Sequence, residues 1–136
     1  MERPKRAIIM RFARFVFIGA GIWGFLVLAP FLWLHDITGR LYAPPTEYPH
    51  FFWGFFAITT AWQLAFLIIG SDPERFRLLM IPSMFEKFSY VLLLIVLYSQ
   101  ARISYADLQA AVPDGVLGTL FVISFLKTRT IDRLKT

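Results

Sequence analysis

Two adjacent residues of opposite charge, Glu86 and Lys87, stand near the middle of a run otherwise suited to hydrocarbon: Phe76 to Tyr98 reads FRLLMIPSMFEKFSYVLLLIVLY. At about 1.5 Å per residue this run crosses the ~30 Å core of a bilayer. A charge at the centre of such a helix costs roughly 2.5 to 3.5 kcal/mol on insertion scales, so it normally faces a bundle interior, finds a partner and marks a functional path. With 3.6 residues per turn, Ser83, Glu86, Lys87 and Tyr90 fall on one side, and Leu79, Phe88, Leu92 and Ile95 lie mostly on others. Gln63, in the preceding apolar segment, and Asp114, in the last one, are the polar groups able to join them. Counted along their helices from the same end, Asp114 lies about 20 Å deep and Lys87 about 17 Å, so the two depths match. The pattern predicts that Lys87 pairs with Asp114 and that Glu86 reaches Gln63 or Tyr90. One cation between two carboxyl groups neutralises at most one of them; the surplus calls for a proton, water or an external cation.

Three kinds of chemistry suit a cluster of this type. A neutralised network fixes helix register; a polar end to a cavity holds an amphipathic ligand such as a quinone or lipid, with Trp62, Phe85 and Tyr90 as walls; an intramembrane carboxyl carries protons or catalyses. His35 and His50 flank one external connection and are the candidate ligands for a haem or a metal, although interfacial histidines are more commonly solvated or capped. No nucleophile with its base, no metal-ligand cluster and no glycine-rich phosphate loop stands in the sequence, so no catalytic residue, metal or cofactor is assigned and the reading is not that of an enzyme. Cysteine is absent, which closes thiolate chemistry and disulfides.

The elements that position this cluster follow from composition. The 136 residues are 57% hydrophobic with a mean hydropathy of +0.60, more apolar than a soluble core of this length needs. Four spans are predicted, about 15–34, 50–70, 76–98 and 106–126, filling a single all-α domain: an integral membrane four-helix bundle. Residues 1–14 carry five basic side chains among Ile8, Ile9, Met10 and Phe12 and read as an amphipathic lead-in at an anionic leaflet. Ala20, Gly21 and Gly24 on the first span, and Ala57, Ala61 and Ala65 on the second, have the spacing of close-packing stripes. Residues 35–49, with Gly39, Pro44, Pro45 and Pro49, read as an external loop. The short GSDPER turn, with Asp72 as cap, predicts the second and third helices as antiparallel neighbours. Pro82 is expected to kink the third helix just ahead of Glu86. Ser104 and Asp107 have capping-box spacing before the fourth span, which carries Pro113-Asp114-Gly115 inside it.

Formal net charge is +5, but the basic residues sit at segment ends rather than on a nucleic-acid-binding face. Eleven Lys or Arg fall in the N-terminal segment, the 70–77 turn and the tail, against Arg40 and Arg102 at the opposite end, so both termini are expected on the cytoplasmic side of the cytoplasmic (inner) membrane.

The stretch SDPERFRLLMIPSMFEKFSYVLLLIVLY, with its DPxRxR turn followed by a Lys inside the third helix, resembles small bacterial four-helix membrane proteins of the BphX-like and DoxX-like families. The resemblance spans residues 50–127. It implies a four-helix bundle and carries no catalytic residue, because those families are mostly of unknown function. The leading functional expectation is therefore an accessory or scaffold subunit, with the bilayer and another membrane protein or a second copy as partners. A quinone- or lipid-binding protein is the alternative, and a small membrane enzyme or proton carrier the next.

Overall fold

The computed structural model describes the backbone of residues 3–42 and 49–133 and the side chains of residues 4–32 and 50–129. Among these residues there is helix and no strand: α1 (Arg3–Tyr42), α2 (Pro49–Ser71), a 3₁₀ turn at Arg77–Leu79, α3 (Met80–Ser99), the single turn α4 (Tyr105–Leu108) and α5 (Ala111–Arg133). Four stretches are long and apolar enough to cross a membrane: Pro4–Leu32, His50–Ser71, Arg77–Ser99 and Tyr105–Arg129.

Several boundaries depart from the expectations above. The basic lead-in and the first span form one helix, which continues through the start of the expected 35–49 loop to Tyr42. Leu34, Ile37, Thr38 and Leu41 keep helical spacing, and one internal glycine costs only about 1 kcal/mol, so Gly39 does not stop it. Pro82 lies in the first turn of α3, directly after the 3₁₀ turn, where a missing N–H removes little, rather than in a helix interior. The fourth span is broken: Ser104 and Asp107 form the expected capping box, but it starts only the one-turn α4. Pro113 and Asp114 then lie at the start of α5 rather than within a continuous helix.

Buried side chains recur with helical periodicity and show how the helices meet. On α1 they are Ala13, Val16, Phe17 and Ala20; on α2 Gln63, Phe66 and Ile69; on α5 Phe121, Ser124 and Thr128. The buried hydroxyls of Ser83, Ser124 and Thr128 donate to carbonyls of their own helices, so they ask nothing of a neighbour. The pairing order is α2–α1–α5–α3, and α2 and α3 make only marginal contact despite the short turn between them. This corrects the expected hairpin. Glycine decides it: a Cβ on Gly21 would lie 2.7 Å from Leu67 Cδ2, and one on Gly70 3.0 Å from the backbone nitrogen of Ile18, so α1 and α2 approach nearly backbone to backbone. Ala57 and Ala61, expected as a packing stripe, instead point outward.

Three basic regions come together at one end of the bundle. Arg6 pairs with Glu74 at 2.6 Å, Arg14 donates to the Ser71 carbonyl at 2.9 Å, and Lys127 sits 4.5 Å over the Phe12 ring. Asp72 organises the turn there, accepting from the Arg75 backbone N–H at 3.2 Å. Just inside this end lies the core: Phe17 stacks on Phe121 at 4.2 Å, and Phe66 meets Phe121 edge-on at 5.0 Å. Aromatic pairs of this geometry contribute roughly 0.5–1.5 kcal/mol beyond burial.

Candidate functional site

Lys87 is the centre of the site. Only 6% exposed, it extends from α3 to place its ammonium 2.9 Å from Asp114 Oδ1 on α5 and 3.2 Å from Glu86 Oε2 on its own helix. The third side of the ammonium faces the Phe66 ring, with 5.3 Å to the centroid. Neighbouring residues on a helix diverge by about 100°, so Glu86 is reached only because the long lysine side chain bends back across the helix face. Glu86 Oε2 is buried and lacks an aligned hydrogen-bond donor; its contact with Lys87 is an ionic one.

Local structure explains how the two helices present these groups. Asp114 and Gly118 are one turn apart on α5, and a Cβ at Gly118 would lie 3.2 Å from Lys87 Cβ and 3.0 Å from the Phe88 ring. The missing side chain lets α5 settle against α3, which brings Asp114 within reach of the ammonium. The break before Ala111 puts Asp114 in a first helical turn, where the helix dipole favours its negative charge.

The other expected members are placed differently. Gln63 is buried but donates back to the Thr59 carbonyl at 3.0 Å rather than to Glu86, and its side-chain carbonyl occupies the space that a Cβ on Gly24 would fill. The Gly24 notch in α1 accommodates the glutamine within the α1–α2 seam. Glu86 therefore turns to Lys87, not to Gln63 or Tyr90. Tyr90 stands one turn along from Glu86 on the same face of α3. Phe85, expected as a wall, is 75% exposed and faces away. His50 is an exposed residue whose ring lies 4.5 Å from that of Phe51, and His35 lies outside the residues with described side chains. No group of three or more potential metal ligands occurs among the described residues.

Glu86, Lys87 and Asp114 form one end of a cavity of about 860 Å³ between the four long helices. Its walls are largely aromatic and aliphatic: Trp23, Val27 and Phe31 from α1, Phe55 and Trp62 from α2, Tyr90 and Leu93 from α3. On α1, α2 and α5 the last lining residues toward the basic end are Ala20, Gln63 and Leu117. One turn beyond each stand Phe17, Phe66 and Phe121, so the aromatic trio closes the cavity from below. The trio escapes a reading of the sequence because its members come from three helices and share no spacing within any one of them.

Compared with protein-family models, curated proteins and solved structures, the chain matches none. Fold and site define a class nonetheless: four long apolar helices, packed solid at the basic end, enclosing a cavity in the other half that ends in one cation between two carboxyl groups.

Proposed function

We propose that the chain is a small multi-pass membrane protein whose cavity binds an amphipathic small molecule, with the polar part of the ligand at Glu86, Lys87 and Asp114 and its apolar part along the aromatic walls. The observation that carries this is the cavity itself: about 860 Å³, lined mainly by apolar side chains and ending in convergent charged groups. Membrane residence is supported by the exterior, where Phe15, Phe85, Ile58 and Leu92 are each more than half exposed, a surface suited to lipid. Both termini are proposed to be cytoplasmic, because the three basic regions share one end of the bundle. A reporter fused after Thr136 that is active only outside the cell would reverse that orientation.

An accessory or scaffold role remains compatible with the same apolar exterior, but a bundle serving only as a packing surface has no need of a charged cavity. The resemblance to BphX-like and DoxX-like proteins enters this proposal as a bundle architecture alone. The test is gentle extraction from native membranes followed by mass spectrometry of bound small molecules, comparing the wild type with a Thr59→Phe variant that fills the cavity. A compound retained by the wild type and lost from a folded Thr59→Phe variant is the expected result. An identical complement of bound molecules in both would sink the reading.

A further inference from the structure

From the way the polar end is wired, we infer that the cavity selects lipophilic cations over anions of the same shape. This rests on the ligand-binding reading above and adds the sign of the charge.

Among the described residues that line the cavity, Lys87 is the only basic one, and its ammonium is already engaged on three sides. Its ammonium is enclosed by Asp114 at 2.9 Å, Glu86 at 3.2 Å and the face of Phe66 at 5.3 Å. Its side chain is 7% exposed, whereas those of Glu86 and Asp114 are 20% and 21% exposed, so of the three charged side chains in the lining the two acidic ones present the greater surface. The neutral polar groups point the same way. Thr59 donates its hydroxyl proton to the Phe55 carbonyl at 2.8 Å, Ser89 to the Glu86 carbonyl at 3.1 Å, and the Gln63 amide to Thr59 at 3.0 Å. With these protons committed to backbone, the hydroxyls of Thr59 and Ser89 turn lone pairs toward a ligand, and the neutral donors left in the lining are the Tyr90 hydroxyl, the second Gln63 amide proton and the indole N–H groups of Trp23 and Trp62.

The charge count agrees. One ammonium among two carboxyl groups gives a cluster that is negative with both carboxyl groups ionised and neutral with one of them protonated. An incoming fatty acid or phosphate would face the carboxyl oxygens and have to pull Lys87 away from both. A cation completes the neutralisation instead, and the rings of Trp23, Trp62 and Tyr90 in the walls offer it further favourable contact through their electron-rich faces.

Tetraphenylphosphonium and tetraphenylborate are close in size and shape and opposite in charge, which makes them the probes. The full-length protein in nanodiscs of zwitterionic lipid is dialysed against each, with empty nanodiscs as the measure of simple partitioning. Saturable binding of about one tetraphenylphosphonium per chain, and only non-saturable uptake of the borate, is expected. Glu86→Gln and Asp114→Asn should each weaken phosphonium binding by ~10-fold, while Phe85→Ala, on the outer face, should not. Saturable borate binding as tight as that of the phosphonium overturns the charge assignment and leaves a ligand cavity standing. Absence of saturable binding by either ion overturns both. Phosphonium binding unchanged in both carboxyl variants places the ion elsewhere and also overturns the assignment.

Discussion

Replacing Lys87 with Met removes the charge and keeps most of the side-chain volume, so it isolates the electrostatic role. At 2.9 Å and an effective dielectric of ~20, attraction between Lys87 and Asp114 is roughly 6 kcal/mol before desolvation, and that with Glu86 at 3.2 Å is nearly as large. Desolvation of a lysine only 6% exposed takes back much of this, so the intact cluster contributes little net stability. Breaking it is another matter. Lys87→Met leaves two largely enclosed carboxyl groups facing each other, and a cost of about 3–5 kcal/mol is expected. Adding Asp114→Leu removes one of them, so that the remaining carboxyl group no longer faces a like charge, and should recover most of the loss. Thermal unfolding in mild detergent, followed by tryptophan fluorescence, reads both variants, and the double-mutant cycle yields the coupling. A double variant that melts no higher than Lys87→Met would refute the argument that the lysine exists to hold Asp114.

Two further predictions concern the backbone. Gly70→Ala brings a methyl to 3.0 Å from the backbone nitrogen of Ile18 and should cost roughly 1–3 kcal/mol by forcing α1 and α2 apart, whereas Gly19→Ala, with nothing within 4 Å, should stabilise by up to about 1 kcal/mol; melting temperatures check the opposite signs. Ala101 has φ of 54° where α3 ends in a Schellman arrangement, with Arg102 N–H on the Leu97 carbonyl and Ala101 N–H on that of Tyr98; Ala101→Gly removes left-handed strain of ~1–2 kcal/mol, less the backbone entropy of glycine, and should raise the melting temperature slightly.

What the sequence made legible was whatever is written within one helix. The polar face of α3 follows from the spacing of Ser83, Glu86, Lys87 and Tyr90, and burial of Ser83 and Lys87 against exposure of Phe88, Leu92 and Ile95 reproduces that division. The meeting of Lys87 and Asp114 could be foreseen from depth alone, because the residues counted, 114–127, lie within the unbroken α5. Which helices pair could not. Loop length argued for α2 beside α3, yet the determinant is how closely two backbones can approach, and the glycines at 21, 24 and 70 favour α1 against α2. Alanine and glycine look alike as small residues in a spacing pattern; an alanine methyl still holds a neighbour off, and the stripe at 57 and 61 turned outward. Gln63 lines the same cavity as the charged residues, but its expected contact with Glu86 fails for a related reason. A long amide is as well served by the carbonyl four residues back on its own helix as by a distant partner.

The same asymmetry bears on what the charged cluster does. A conduit for protons or ions would need a polar path continuing from Lys87 toward the basic end, and that direction is blocked by three fully buried phenylalanines stacked across α1, α2 and α5. Beyond them the buried polar side chains Ser124 and Thr128 donate inward to their own backbone and present no chain of donors. The charges therefore stand at the closed bottom of a cavity rather than partway along a channel. Such a position suits recognition: a charged group at a dead end is desolvated by whatever enters, and its interactions strengthen as water leaves. Entry is easiest to envisage between α2 and α3, the one adjacent pair in the ring without substantial contact, where an amphipathic molecule already dissolved in the bilayer would meet Trp62 and Tyr90 before reaching Glu86. The pairing order that the loop lengths disguised is thus the feature that opens the bundle on one side, and glycine at the α1–α2 and α3–α5 seams is what draws the remaining walls shut.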